Sequence, residues 1–238
     1  MDEAVAMARA FAEAGTTAVA VTPHVSWDYP ETTPAAIAGG VAEVRAALAE
    51  ADVALEVLPG AEIALSRAND LAEEDLEAFT LGDGPWLLVE PPFSPSLAGI
   101  EAVLDALLLR GHKLVLAHPE RSPALAKDPE RLRPYVDAGV LCQITAGSVT
   151  GEFGRTVQRA ARRMIDDELA HLLASDAHDV TRRIPGMRGA TAALQDDELA
   201  DWLTREVPGA IVTGAPIPPR PETDGPRRGG LLGRLRRR

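Results

Sequence analysis

Short apolar runs of β type alternate along this chain with longer stretches of helical period. The runs are TAVAVTPH (17–24), LEVLPGAEI (55–63), WLLVEPP (86–92), KLVLAHPE (113–120), VLCQITAG (140–147) and HLLASDAH (171–178). Between them lie helical stretches at 33–51, 94–111, 128–139 and 153–168, and another opens the chain at 1–15. Several begin near Pro, Ser, Thr or Asp and stop near Gly, as helix ends prefer. Such alternation implies parallel strands joined by right-handed crossovers, so the chain predicts an α/β fold.

Five of the six runs end in side chains that can hold a metal: His24, Glu62, Glu90, His118, and Asp176 with His178. Glu62, Glu90 and His118 fall at equal intervals of 28 residues, about one strand–helix unit. In a parallel α/β barrel these ends share one rim, where active sites form. The reading is therefore a metal-dependent rim site. Imidazoles mixed with carboxylates, without thiolates, suit Mn²⁺, Fe or Zn²⁺. Six candidate ligands exceed one tetrahedral site and fit two or three ions with shared carboxylates. Arg121 follows His118, and Arg182 and Arg183 follow His178. Guanidinium forks match phosphate, so metals plus arginines point to phosphoester hydrolysis by activated water. His112 precedes a strand and His171 starts one, so both are expected at the opposite rim in structural roles.

Other chemistries fit poorly. A net charge of −12 makes nucleic acid an unsuitable partner for the body of the chain. The single cysteine, Cys142, is followed by QITAG and then Ser148, where a cysteine-based phosphatase needs Arg, so it reads as a packing residue. There is no G-x-S-x-G elbow and no Walker-type loop. No apolar run has the length of a membrane span, and the acidic, helix-like start does not read as a signal peptide. A cytoplasmic location is expected. One domain is drawn over 1–215, followed by a disordered basic tail over 216–238. From Arg220 onward seven arginines face only Glu222 and Asp224, and LLGRLRRR sets leucines among arginines, which suits weak contact with an anionic membrane surface.

VTPH, PGAEI, AHPERS and ASDAHD resemble the PHP (polymerase and histidinol phosphatase) superfamily. The spaced glutamate in LLVEPP and the RIPGM after Arg183 resemble its capsular-polysaccharide branch, the CpsB/YwqE-type tyrosine-protein phosphatases. The resemblance covers about residues 1–215 and implies a distorted (β/α)₇ PHP-type barrel with up to three metals. It implies that Glu62, Glu90 and His118 hold one ion. Glu62, as a bridge, and Asp176 contribute to a second, and His24 and His178 to a third. Arg121 and Arg183 take the phosphate, with Arg182 the weaker candidate. The implied substrate is a phosphotyrosine protein, a bacterial tyrosine kinase of capsular or exopolysaccharide export. Histidinol phosphatase activity and non-catalytic phosphotyrosine or kinase binding are the alternatives.

The family begins with a strand bearing His-x-His and a following loop Asp, which this sequence lacks; MDEAVAMARAFAEAG matches the first helix. The first strand is thus expected to be missing. The second ion then loses two expected ligands and the third loses one, and strand edges stay open. Either the start is assigned too far downstream, or the short chain is genuine and acts as a weak enzyme or a binding protein.

Overall fold

The structure, a computed structural model, describes residues 1–222. Among the described residues eight strands form: β1 (Ala18–Ala20), β2 (His24–Val25), β3 (Glu56–Leu58), β4 (Glu62–Ala64), β5 (Trp86–Glu90), β6 (Lys113–Ala117), β7 (Leu141–Thr145) and β8 (Leu172–Ala174). All recorded pairings are parallel. The main sheet has the order β2-β4-β5-β6-β7-β8, and β1 pairs with β3 in a small second sheet. Each strand of the main sheet thus lies beside its successor, the arrangement that alternating helices and strands impose. The fold is the α/β class expected from the sequence.

The first two expected strands are each cut in two, and the reason is proline. Pro23 interrupts the first between β1 and β2, and Pro59–Gly60 interrupts the second between β3 and β4. Proline has no N–H to give the ladder. The chains stay side by side through the breaks, with Val21 N–H donating to Leu58 O (3.0 Å) and Glu62 N–H to Pro23 O (3.0 Å). His24 and Glu62 therefore begin short strands instead of ending long ones, and they stand directly opposite each other.

The helices follow their caps. Thr33 accepts the Ala36 N–H through its side chain, and Pro34 starts the helix Pro34–Glu50. The stretch expected at 94–111 is helical only over Ile100–Leu109, because Ser94 and Ser96 take the Ser96 and Ala98 N–H groups into turns. The stretch at 128–139 divides into Pro129–Leu132 and Arg133–Asp137. Helices at Arg188–Leu194, Asp197–Asp201 and Val207–Thr213, not singled out in the sequence, complete the fold.

The core is continuous. Ile63, Leu87, Val89, Leu114, Val115 and Ile144 are fully shielded from solvent, as expected of parallel strands covered on both faces, and so is Leu107 of the helix Ile100–Leu109. At Gly84 a Cβ would sit 1.7 Å from Ile211 O, so only glycine lets the turn before β5 meet the helix Val207–Thr213. Among the described residues β2 and β8 are the edges of the main sheet and do not pair with each other. The sheet still curls, since the rings of His24 and His178 come within 6.2 Å.

The boundary expected at residue 216 falls too early. Trp202 Nε1–H donates to Pro218 O (3.1 Å), and Arg220 donates to Ala170 O (2.7 Å) and Ile165 O (3.0 Å). The segment up to Arg220 thus belongs to the body, because its arginine finds backbone carbonyls there. The remainder of the expected tail, 223–238, lies outside the described residues. Among the described residues no helix is long and apolar enough to cross a membrane.

Candidate metal centre

The carboxyl ends of the main-sheet strands open into a cleft of about 400 Å³. All eight side chains singled out in the sequence line it, while Arg182 does not. They form two adjoining groups.

The first group is His24, Glu62, Glu90 and His118. Glu62 and Glu90 come from β4 and β5, neighbours in the sheet, and His118 follows β6 directly. His24, Glu62 and Glu90 offer ligand-type atoms within 4.8 Å of one another. His24 Nδ1 lies 3.6 Å from Glu62 Oε1 and 4.0 Å from Glu90 Oε2. His118 Nε2 lies 3.2 Å from Glu62 Oε1 and 3.5 Å from Glu90 Oε1. His118 is 2% exposed and left-handed (φ 30), a conformation rare for a residue with a Cβ that turns its ring into the group.

Burial and the neighbouring Glu62 charge push the Glu90 carboxyl up to about 7. Burial acts upward on Glu62 as well, but the hydrogen bond and charge of His118 outweigh it and leave Glu62 below its ordinary value. Burial acts downward on His118, and Glu62 outweighs it in turn, leaving His118 raised. The Glu62 carboxylate is thus packed between two groups that hold their protons more tightly than usual, Glu90 and His118, and a divalent ion can take the place of those protons. The donor set of imidazole nitrogens and carboxylate oxygens thus fits a metal.

The second group is Arg121, Asp176, His178 and Arg183. Arg121 Nη1 donates to Asp176 Oδ2 (2.6 Å), and Arg183 Nη2 donates to the same oxygen. Arg183 Nη1 also lies 3.0 Å from His178 Nε2, and His178 Nδ1 lies 3.0 Å from Asp176 O. Asp176 is left-handed as well (φ 50). Its carboxylate is thus engaged by the arginines, not by the Glu62 cluster. Two guanidiniums converging on one anionic oxygen can do the same for a phosphoryl group.

Several contributors were given no role from the sequence. Asp179 Oδ1 accepts from Thr181 N (2.7 Å), Thr181 Oγ1 (2.8 Å) and Arg182 N (2.6 Å), folding the loop that aims Arg183. The hydrogen bond from the Arg182 N–H leads those that draw the Asp179 carboxyl down to about 2. Phe153 lies under both guanidiniums, 4.5 Å from Arg121 and 5.9 Å from Arg183. Trp27, Tyr29 and Phe93 border the cleft. An isolated aromatic in a loop has no periodicity to mark it. Cys142 lies in mid-strand, 1% exposed, and burial followed by the Glu120 charge pushes its thiol up to about 12, which suits packing and not attack.

A parallel α/β sheet with histidines, carboxylates and two arginines converging at its carboxyl rim is the layout of a metal-site phosphohydrolase. The chain belongs to the family described as "Capsular polysaccharide synthesis, CpsB/CapC", which matches residues 1–211. It is 34% identical over 183 residues to the tyrosine-protein phosphatase YwqE of Bacillus subtilis, covering 76% of this chain and 71% of that protein. It is 30% identical over 181 residues to the tyrosine-protein phosphatase CpsB of Streptococcus pneumoniae, covering 74% of each. Among solved structures it matches a chain from the work on YwqE and CpsB, "unique metal-dependent tyrosine phosphatases", with a TM-score of 0.79 and 31% identity, covering 93% of this chain and 92% of that one.

Proposed function

We propose that the chain is a metal-dependent protein-tyrosine phosphatase of capsular or exopolysaccharide synthesis, working in the cytoplasm on a phosphorylated bacterial tyrosine kinase. The observation that carries this reading is the convergence of His24, Glu62, Glu90 and His118 beside Arg121 and Arg183 in one cleft. The relatives named tyrosine-protein phosphatases support it.

In this reading Glu62, Glu90, His118 and His24 hold metal, with Asp176 and His178 able to join when the arginines turn to substrate. A bound divalent cation, Mn²⁺ first with Fe or Zn²⁺ as the other candidates, supplies a water-derived nucleophile and neutralises phosphoryl oxygens. The chain's own side chains do the positioning. Arg121 and Arg183 clamp the phosphoryl oxygens, with Phe153 beneath both guanidiniums to fix their planes. Asp176 holds the two guanidiniums together until the phosphoryl group takes its place.

The test is phosphate release from a phosphotyrosine peptide and from histidinol phosphate, with Mn²⁺, Fe²⁺ or Zn²⁺ and with chelator, beside metal analysis of the purified chain. The expected result is chelator-sensitive release that is faster from the peptide. Release from neither substrate with any metal overturns the reading. Preference for histidinol phosphate moves the chain to the other phosphoesterases. Metal-independent binding of phosphotyrosine without release makes it a recognition protein.

A further inference from the structure

The mouth of the cleft is walled by aromatic rings that remain largely open to solvent. Trp27, Tyr29 and Phe93 are 61%, 48% and 54% exposed. The chain has only nine Phe, Tyr and Trp residues, so leaving three of them uncovered around one cleft is a poor use of core-forming side chains unless something covers them. Each ring is nevertheless held. Trp27 Nε1–H donates to Ser66 O (3.4 Å), and the Arg67 guanidinium stacks 4.1 Å from the ring centroid. Tyr29 lies nearly parallel to His24, at 5.9 Å and 17°. Phe93 lies nearly parallel to His118, at 5.7 Å and 16°. Side chains fixed before a ligand arrives lose little freedom when it binds.

We propose that Trp27, Tyr29 and Phe93 form an aromatic slot that grips the phenyl ring of an aryl phosphate and selects it over alkyl phosphate monoesters. The inference rests on the reading of this cleft as a phosphatase site and adds the side chains that choose the ester. With the phosphoryl group held by Arg121 and Arg183, the ester oxygen and its substituent must leave through the mouth. In a phosphotyrosine the next atoms outward are a planar ring, which meets aromatic walls by offset or edge-to-face stacking. In a phosphoserine they are a single methylene and backbone, which cannot stack and would bring polar peptide groups against the rings.

Trp27 is the side chain to alter, because Tyr29 and Phe93 also lie against His24 and His118. The measurement is the ratio of kcat/KM for matched phosphotyrosine and phosphoserine peptides with Mn²⁺. Trp27→Leu should lower that ratio by about threefold to tenfold, the worth of one aromatic pair, with the change mainly in KM. Trp27→Phe should restore most of it. Tyr29→Leu is the second variant, with circular dichroism to check its folding and metal analysis to check His24, and it should shift the ratio the same way. A ratio unmoved in both leucine variants overturns the slot while leaving the phosphatase reading intact. Binding gives an independent readout: Trp86 and Trp202 are buried (5% and 3%), so a fluorescence change on adding phosphotyrosine reports Trp27. Phosphotyrosine should bind more tightly than phosphoserine, and the signal should vanish in Trp27→Phe. Should the wild-type chain hydrolyse neither peptide, the phosphatase reading fails and this titration decides the slot alone; equal affinities overturn it.

Discussion

At the carboxyl ends of the strands three histidines, four carboxylates and two arginines face one cleft. At the amino ends the same residue types are set against neighbours outside the cleft. His171 Nδ1 accepts the Cys142 N–H (3.1 Å), and His112 Nε2 lies 2.9 Å from Glu73 Oε1. Arg220 gives its protons to Ile165 O and Ala170 O and lies 5.3 Å from the Trp202 ring centroid. Arg133 donates to Asp167 O (2.6 Å), and Lys113 lies 5.4 Å from the Trp86 ring. Ile165 and Asp167 belong to the end of the helix Arg155–Asp166, where unpaired carbonyls attract cations. A histidine or arginine that answers a backbone group reinforces the fold. One that meets other ionisable groups in an open cleft leaves charge to be completed by a ligand. The left-handed residues divide in the same way. Asp52 and Glu168 close helices, an ordinary use of that conformation, whereas His118 and Asp176 turn the chain at strand ends into the cleft.

This contrast can be broken most severely at Glu62. Glu62→Ala should lower bound metal and kcat/KM together, the latter by about 10²-fold or more, beyond what losing a supporting contact costs. Metal analysis and steady-state assay check it, with Glu62→Gln as the isosteric control for folding. Full metal content in both variants would reduce Glu62 to a structural acid.

Arg183→Ala should lower kcat by about 10²-fold, comparable to removing a preorganised anion donor, with little change in melting temperature. A large fall in melting temperature with kcat retained would move Arg183 into the company of Arg220. The converse holds at the other end. Arg220→Ala should cost about 1–3 kcal/mol in urea unfolding, the range for buried hydrogen bonds from a charged donor, and leave kcat/KM at the wild-type level. A loss of activity without loss of stability would show that the two ends are coupled.

The smallest effect concerns His171. Burial, and then the charge of Arg220, lower its pKa to about 4, against about 6.5 in an unfolded chain. Between those values the unfolded state binds more protons than the folded one, so stability rises with pH across the window and falls as pH drops from about 6.5 to about 4. Its share should be about 1–2 kcal/mol between pH 7 and pH 5. His171→Gln does not titrate, so its unfolding free energy should fall less over that interval than the wild type's. Parallel curves would remove His171 from the protonation balance.

The sequence by itself determined the parallel α/β class and singled out eight of the ionisable side chains that line the cleft. Both are local matters: strand and helix periods can be read in short windows, and in a parallel sheet every carboxyl end must lie on the same side. Glu90, His118, Asp176 and His178 therefore reach one rim however the helices pack, and His24 and Glu62 join them although they begin β2 and β4. Proline at 23 and 59 was equally visible, yet the cut it makes was missed, because the apolar runs read on through it. Only the tertiary structure decided who meets whom. Asp176 turns to Arg121 and Arg183, and Phe153 reaches both guanidiniums from a loop far along the chain. Trp27, Tyr29 and Phe93 gather at one mouth. Those meetings depend on strand register and on the curl that brings His24 to within 6.2 Å of His178. Register and curl are set by the summed packing of the whole core, and no short stretch of sequence contains that sum.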